Sequence, residues 1–171
     1  MDLHRFLPYR LAVLADAVSR AVAAVYDRRF DLGRDEWRVV AALAEGPMRT
    51  GDVIAHTTLD KMQVSRAVAR LEAAALVARA PDGDDRRARV LRLTAAGRTL
   101  YRRIAPLALA REAFLLGALD ADERRVFESA IDKLQQRARA LGDATPPAPT
   151  TRAVRPPVAR SAAPPGRRAA R

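Results

Sequence analysis

The sequence predicts a mainly α-helical fold that contains one short β-hairpin. Apolar residues recur at helical spacing in six segments, and capping residues or Gly–Pro pairs mark several of the segment ends. Between the fourth and fifth segments lies a charged stretch whose Pro, Asp and Gly residues predict a turn between two short strands. The predicted order is therefore four helices, a hairpin and two further helices.

Three helices are predicted in the first third of the chain. The first covers about 8–28, and Pro8 suits its first turn because a proline there gives up no hydrogen bond. The second covers 34–45 and stops at Gly46-Pro47, and a third, short helix follows Thr50. The apolar stripe of the first helix consists of Leu7, Leu11, Leu14, Val18, Val22 and Val25.

The fourth helix and the hairpin follow in the middle of the chain. Asp60 and Gln63 form a capping-box variant, so the helix should start at Asp60 and continue to about Ala75. Short strands are predicted at about 77–80 and 88–93. The second has few β-branched residues, so its prediction depends on the turn before it.

Two long helices complete the body. Thr94 caps the first of them, which Pro106 should kink, and Asp120 with Glu123 forms a capping box for the second. Their apolar stripes consist of Leu100, Ile104, Leu107 and Leu115 in the first helix, and Val126, Phe127, Ile131 and Leu134 in the second.

Composition favours a soluble, cytoplasmic protein with a polyanionic partner. The 171 residues include 31 Lys plus Arg against 20 Asp plus Glu, which gives a net charge of +11. No apolar run is long enough for a membrane helix, and the first residues do not resemble a secretory signal, so no membrane partner is expected. The absence of cysteine excludes disulfides, thiolate metal sites and cysteine nucleophiles.

An enzyme is the least favoured class. The sequence has no glycine-rich phosphate loop, no metal-ligand spacing and no nucleophile beside a base, and its only histidines are His4 and His56. We therefore expect no cofactor and no metal. The acids Asp82, Asp84 and Asp85 lie beside arginines, which argues against a divalent-cation loop.

The last 30 residues differ from the body in composition. Residues 142–171 hold seven of the eleven prolines, six arginines and one acid, without a periodic apolar pattern. They predict a disordered basic tail, and leave residues 1–141 as the folded domain. Two interpretations of the tail stay open: a solubilising extension, or a non-specific arm that contacts DNA phosphates.

The fourth helix combines a buried face with a basic face. Its apolar side carries Val64, Ala67, Val68, Leu71 and Ala75 at helical spacing. The opposite side carries Met62, Ser65, Arg66, Ala69 and Arg70. Small residues between long basic ones are typical of a helix that lies in the major groove and donates to base edges, although a solvated surface helix has a similar pattern.

The hairpin tip supports the DNA-binding interpretation. Asp84-Asp85-Arg86-Arg87 places two arginines beside two acids, and an exposed arginine pair can enter a narrow minor groove. An ordinary solvated turn is the alternative. A short helix pair followed by a charged hairpin is the layout of a winged helix-turn-helix, here with about six helices and a two-stranded wing.

Four motifs in order resemble the MarR family of bacterial transcriptional regulators. The resemblance is most specific over residues 34–97 and extends over about 6–141. Ala75 departs from the pattern, since the family often has glycine there, and we expect a less sharp helix end. The motifs are Ser65–Glu72, Leu76–Arg79, Asp84–Ala88 and Leu93–Gly97.

The resemblance implies a homodimer that binds a pseudo-palindromic operator on double-stranded DNA. The DNA-binding lobe would cover about 34–97, and the N- and C-terminal dimerisation helices about 6–28 and 98–141. Packing of the terminal helices within one chain is the alternative. The apolar dimer residues would be Leu7, Leu11, Leu14, Phe114, Leu115, Leu119, Val126, Phe127 and Ile131.

Ten residues are candidates for DNA contact. Gln63, Ser65, Arg66 and Arg70 would serve the recognition helix. Lys61 and Arg79 would contact phosphate. In the wing, Asp84 and Asp85 would orient Arg86 and Arg87. We expect a sequence-specific regulator, most simply a repressor; the alternatives are a non-specific architectural DNA-binding protein and a protein-interaction module.

The resemblance further implies a small aromatic or phenolic effector that releases the DNA, although some family members respond to none. Candidate pocket residues are Tyr9, Arg10, Trp37 and His56. Each also has a structural interpretation: Trp37 as core, His56 as a capping or surface residue, Tyr9 as ordinary packing and Arg10 as a partner for an acid.

Overall fold

The computed structural model describes residues 2–82 and 89–143. It confirms the predicted order of elements and adds one 3₁₀ turn, Leu3–Arg5, at the start. The helices are α1 Leu7–Phe30, α2 Arg34–Glu45, α3 Thr50–His56, α4 Lys61–Ala73, α5 Ala95–Leu116 and α6 Ala121–Asp143, and the strands are β1 Val77–Pro81 and β2 Arg89–Leu93.

The chain divides into two compact units, residues 1–121 and 122–171. The first unit holds the hydrophobic core, which α2, α3, α4, the hairpin and Ile104 of α5 build together, with Tyr26 of α1. In the second unit the described part is α6, whose Val126, Phe127 and Leu134 are exposed. The predicted tail lies outside the described residues from 144 onward, while α6 itself continues to Asp143.

The two halves of α1 have different surroundings, although one apolar stripe runs along the whole helix. Leu7, Leu11 and Leu14 in the first half are exposed. Val22 and Val25 in the second half pack against the core. Helix α1 ends at Phe30, and its C-cap residue, Asp31, adopts a left-handed conformation with φ 49°.

Trp37 joins three helices in one aromatic stack. Its ring centroid lies 5.5 Å from that of Tyr26 on α1 and 5.9 Å from that of Tyr101 on α5. Such ring pairs stabilise beyond the apolar area they bury. The stack therefore fixes α1 and α5 on α2.

Burial raises the pKa of Tyr26, an effect that outweighs the lowering by Arg38 and Arg34. The unfolded chain then loses this proton at lower pH than the folded chain, so the stabilisation is complete below about pH 10 and is lost as the pH rises through the folded pKa. We expect the free energy of unfolding to fall above about pH 10 and to fall less in Tyr26→Phe. Urea unfolding at pH 8 and pH 10.5 measures both; an equal fall in the two proteins would contradict the assignment.

Helix α4 ends sharply, contrary to the expectation for an alanine at position 75. Ala75 adopts φ 55°, and its N–H donates to Glu72 O at 2.9 Å. The N–H of Leu76 donates to Leu71 O at 2.9 Å, which completes a Schellman motif. The chain therefore makes the left-handed turn with alanine, at a steric cost that glycine would avoid.

We expect Ala75→Gly to raise the free energy of unfolding by about 0.5–1 kcal/mol, because relief of the left-handed strain exceeds the added chain entropy. Ala74→Gly is the matched control. Ala74 has an ordinary φ of −82°, so glycine there should destabilise by about 0.5–1 kcal/mol. Urea midpoints at one protein concentration compare the two; destabilisation by Ala75→Gly would show that the turn costs nothing.

Hydrogen bonds of Thr94 join the start of α5 to the end of α4. The Thr94 hydroxyl donates to Ala75 O at 2.8 Å and accepts from the Gly97 N–H at 3.0 Å. A Cβ on Gly97 would overlap the carbonyl oxygen of Leu76, so this close approach requires glycine. Helix α5 then runs through Pro106 to Leu116.

Candidate nucleic-acid interface

The turn between α3 and α4 is held by local hydrogen bonds and one buried side chain. The Thr57 hydroxyl donates to Val53 O at 2.8 Å, and Leu59 is buried. At the start of α4 the Gln63 N–H donates to the Asp60 carboxylate at 2.8 Å, and the Asp60 N–H donates to Gln63 Oε1 at 2.9 Å. The predicted capping box is confirmed, and it fixes where α4 begins.

Helix α4 has the two faces that the spacing predicts. Val64, Ala67, Val68 and Leu71 are buried in the core. Lys61, Met62, Ser65, Arg66 and Ala69 are exposed. We call these five residues the outer face of α4.

Arg66 is, with Lys61, one of the two positively charged residues of the outer face. It makes no hydrogen bond or ion pair with any described residue, and Ser65 and Ala69 beside it are small. A guanidinium that presents its donors to solvent between short side chains can approach a flat molecular edge closely.

Arg70 is also exposed but has a partner inside the protein. Its Nε lies 3.1 Å from Oε1 of Glu36, a residue that is only 6% exposed. The other oxygen of Glu36 accepts the N–H of Gly33 at the start of α2. Arg70 therefore ties α4 to the N-terminus of α2.

Two other predicted contact residues are likewise engaged. Gln63 uses Oε1 in the capping box, which leaves its amide NH₂ group to donate. Arg79 on β1 donates from Nε and Nη2 to the Glu72 carboxylate, at 2.9 and 3.4 Å. Nη1 of Arg79 takes no part in this ion pair and can still donate to a phosphate.

The two strands of the predicted wing form an antiparallel ribbon in which Val77 pairs with Leu93 and Pro81 with Arg89. Met48, between α2 and α3, pairs with Leu91 of β2 through two backbone hydrogen bonds of 3.1 and 2.8 Å. The predicted tip residues Asp84, Asp85, Arg86 and Arg87 lie outside the described residues. Their contacts stay predictions.

A contact that the sequence analysis missed lies at the turn end of this ribbon, next to the Pro81–Arg89 pair. Arg49 donates from Nε and Nη2 to Oδ2 of Asp82, at 2.8 and 2.7 Å. Arg49 is the N-cap residue of α3, a position that favours Ser, Thr, Asp or Asn. An arginine at a helix start was the available signal that this side chain has another role.

The predicted effector residues are only partly brought together. Trp37 and His56 line one cleft of about 330 Å³, with Arg38, Glu45 and Thr58. His56 Nε2 lies 3.2 Å from Glu45 Oε1. Tyr9 and Arg10 do not line this cleft, and Tyr9 makes an edge contact with His4. Trp37 is both a packing residue and part of the cleft wall.

A second cleft, of about 400 Å³, lies between the end of α2, β2 and the start of α5. Its walls include the aromatic Tyr101 and three arginines that form no ion pair with a described carboxylate: Arg92, Arg98 and Arg102. Sequence spacing gave no sign of this cleft because its arginines come from two elements.

Other kinds of site are not supported by the described residues. Among residues 2–82 and 89–143, no group of three or more His, Asp or Glu could hold a metal ion. No helix in that part of the chain is long and apolar enough to cross a membrane.

Residues 30–88, which contain α2, α3, α4 and β1, match the sequence model of the MarR family. This segment is similar to the MarR family, and the described residues have a winged-helix fold. No curated protein matches the chain by sequence.

Solved structures of MarR-family regulators have the same fold. A MarR/EmrR-family regulator from Acinetobacter sp. ADP1 superposes with a TM-score of 0.75 at 24% identity, covering 82% of this chain and 99% of that chain. BpsR from Bordetella bronchiseptica, whose DNA binding is regulated by 6-hydroxynicotinic acid, gives 0.69 at 24% identity, covering 77% and 94%. MarR from E. coli gives 0.62 at 18% identity, covering 75% and 96%.

Proposed function

We propose that this protein is a MarR-family, sequence-specific DNA-binding regulator that represses transcription by occupying its operator. The outer face of α4 carries the proposal, because it presents an unpaired arginine between small side chains on a helix fixed by its caps and core. Arg66 would donate to a guanine edge in the major groove, with Ser65 beside it, and Lys61 would contact phosphate.

The remaining candidate residues take secondary parts in this proposal. Gln63 would donate through its amide NH₂ group. Arg70 and Arg79, which Glu36 and Glu72 already hold, would contact phosphate. Arg86 and Arg87, oriented by Asp84 and Asp85, would enter the minor groove.

A homodimer is part of the proposal. Phe114 near the end of α5 is 84% exposed, and Leu7, Leu11 and Leu14 of α1 are exposed as well. Large apolar side chains exposed on the terminal helices favour burial against a second copy. Two-fold symmetry would then place half-sites about 10 base pairs apart on a pseudo-palindromic operator.

Selection from a random duplex pool tests the function. The full-length protein should enrich one palindromic sequence and bind it at least about 10³-fold more tightly than scrambled duplex at 150 mM salt. The high net charge favours one rival, a non-specific architectural DNA-binding protein. That rival predicts no enrichment, and a loss of binding when the six tail arginines are replaced by serine.

An aromatic acid is the effector class we propose, as the regulation of BpsR by 6-hydroxynicotinic acid suggests. The second cleft offers both positive charge and an aromatic ring, from Arg92, Arg98 and Tyr101. The Trp37–His56 cleft is the other candidate site.

Phenolic acids that bind the protein should raise its melting temperature. A shift that His56→Ala removes would place the ligand in the Trp37–His56 cleft. A shift that Arg98→Ala removes would place it in the second cleft; no shift with any acid would contradict the proposal.

A further inference from the structure

The ribbon of the wing is attached to the helix-turn-helix at two points by one short segment, Met48-Arg49. The Met48 backbone pairs with Leu91 of β2. The Arg49 side chain donates two hydrogen bonds to one oxygen of Asp82, which lies directly after β1. Because one point lies on β2 and the other directly after β1, rotation of the ribbon about either one is restrained by the other.

The ion pair at the second point has features that isolated surface pairs lack. The side chain of Asp82 is only 15% exposed, so the carboxylate is largely removed from solvent. Two charge-assisted hydrogen bonds also fix the orientation of the Arg49 guanidinium better than a single bond would. A typical surface pair between two exposed side chains contributes little.

The Arg49 side chain does not stabilise the N-terminus of α3. No Arg49 side-chain bond caps the helix, and the Asp52 carboxylate instead accepts the Arg49 N–H at 3.1 Å. Asp52 thus supplies the local hydrogen bond at the helix start. The long Arg49 side chain donates instead to Asp82, which lies 33 residues later in the sequence.

We propose that Arg49 is the positioning residue of the wing: through Asp82 it holds the ribbon at the angle at which the wing and α4 engage one duplex. This role rests on the proposed DNA-binding function. Arg49 acts here through Asp82 rather than by contact with DNA. A direct phosphate contact by Arg49, with Asp82 as its competitor, is the contrary account.

Three full-length variants separate the two accounts: Arg49→Ala, Asp82→Asn and the double variant. Affinity is measured with the selected operator. Hydrogen exchange of the ribbon amides, measured without DNA, reports how firmly the ribbon is held. Arg89→Ala is the matched control. Arg89 is an exposed ribbon arginine that forms no ion pair with a described residue, so its loss removes charge without detaching the ribbon.

We expect each single variant to exchange the amides of β1 and β2 faster and to bind the operator about tenfold more weakly. The double variant should be no weaker than either single one, because both remove the same contact. Exchange in α2 reports whether a variant is folded, and Arg89→Ala should leave ribbon exchange unchanged.

Tighter binding by Asp82→Asn with weaker binding by Arg49→Ala would overturn the proposal in favour of a direct phosphate contact. Unchanged ribbon exchange in both single variants would overturn it as well, whatever the affinity. If the unaltered protein enriched no operator, the proposed DNA-binding function itself would be wrong. The exchange data test only how Arg49 and Asp82 hold the ribbon, so they cannot by themselves contradict that function.

Discussion

Replacing Arg66 with alanine should weaken binding to the selected operator about 5- to 150-fold, the equivalent of about 1–3 kcal/mol for a lost base contact. Arg66 has no partner among the described residues, so its removal leaves no group inside the protein unsatisfied. The free energy of unfolding should therefore change by less than about 0.5 kcal/mol. Fluorescence anisotropy with labelled operator, together with urea unfolding, measures both quantities.

Two further variants show whether the effect of Arg66 is specific. Lys61→Ala should weaken binding to operator and scrambled duplex equally and lower the salt slope by about one, as expected for a phosphate contact. Arg28→Ala, at an exposed position in the last turn of α1, should change neither. If Arg66→Ala weakened binding to all sequences equally, Arg66 would be a phosphate contact and the predicted base contact would be wrong.

Replacing Arg70 with alanine should, beyond the loss of its proposed phosphate contact, lower the free energy of unfolding by about 2 kcal/mol. The substitution leaves the buried carboxylate of Glu36 with the Gly33 N–H but without its cationic partner. Because Arg70 is itself largely exposed and water can reach that side of the pair, the expected loss lies below the 3–5 kcal/mol of a fully buried pair.

The double variant Glu36→Gln/Arg70→Ala tests this cause. A glutamine at position 36 can still accept the Gly33 N–H and carries no charge, so the double variant should be more stable than Arg70→Ala alone. Urea unfolding at one protein concentration compares the four proteins of the cycle. Equal stability of Arg70→Ala and the unaltered protein would show that the Glu36–Arg70 pair contributes nothing.

Arg66 and Arg70 illustrate what the sequence could predict about the interface. Spacing on one helix identified both as outward residues, and the structure agrees. Helical periodicity holds no information on which distant acid an exposed arginine meets. The ion pairs Glu36–Arg70 and Arg49–Asp82 each link different elements, so they emerge only when the fold brings those elements together.

The elements themselves were predictable because their signals are local. The caps at Asp60 and Thr94 act over three residues, and the buried stripe of α4 follows from one helical period. The end of α4 was predicted less well. Glycine is the usual residue for a left-handed turn, yet the hydrogen bonds around Ala75 outweigh the strain on its Cβ.

Trp37 marks the limit of pattern-based prediction at a site. An aromatic residue on a helix face predicts either packing or a pocket wall, and Trp37 does both: it stacks with Tyr26 and Tyr101 and lines a cleft with His56. The side chains that share this cleft come from α2, α3 and the turn after α3. Only tertiary packing determines that Tyr9 and Arg10 are not among its walls.

The ratio of operator affinity to scrambled-duplex affinity, measured at 150 mM salt for the unaltered protein and for Arg66→Ala, bears most directly on the assignment of the α4 outer face. We expect a ratio of at least about 10³ in the first protein. In the second it should be about 5- to 150-fold smaller, with the scrambled-duplex affinity nearly unchanged. A ratio near one in the unaltered protein, or the same ratio in both proteins, would contradict a base-reading role for this surface.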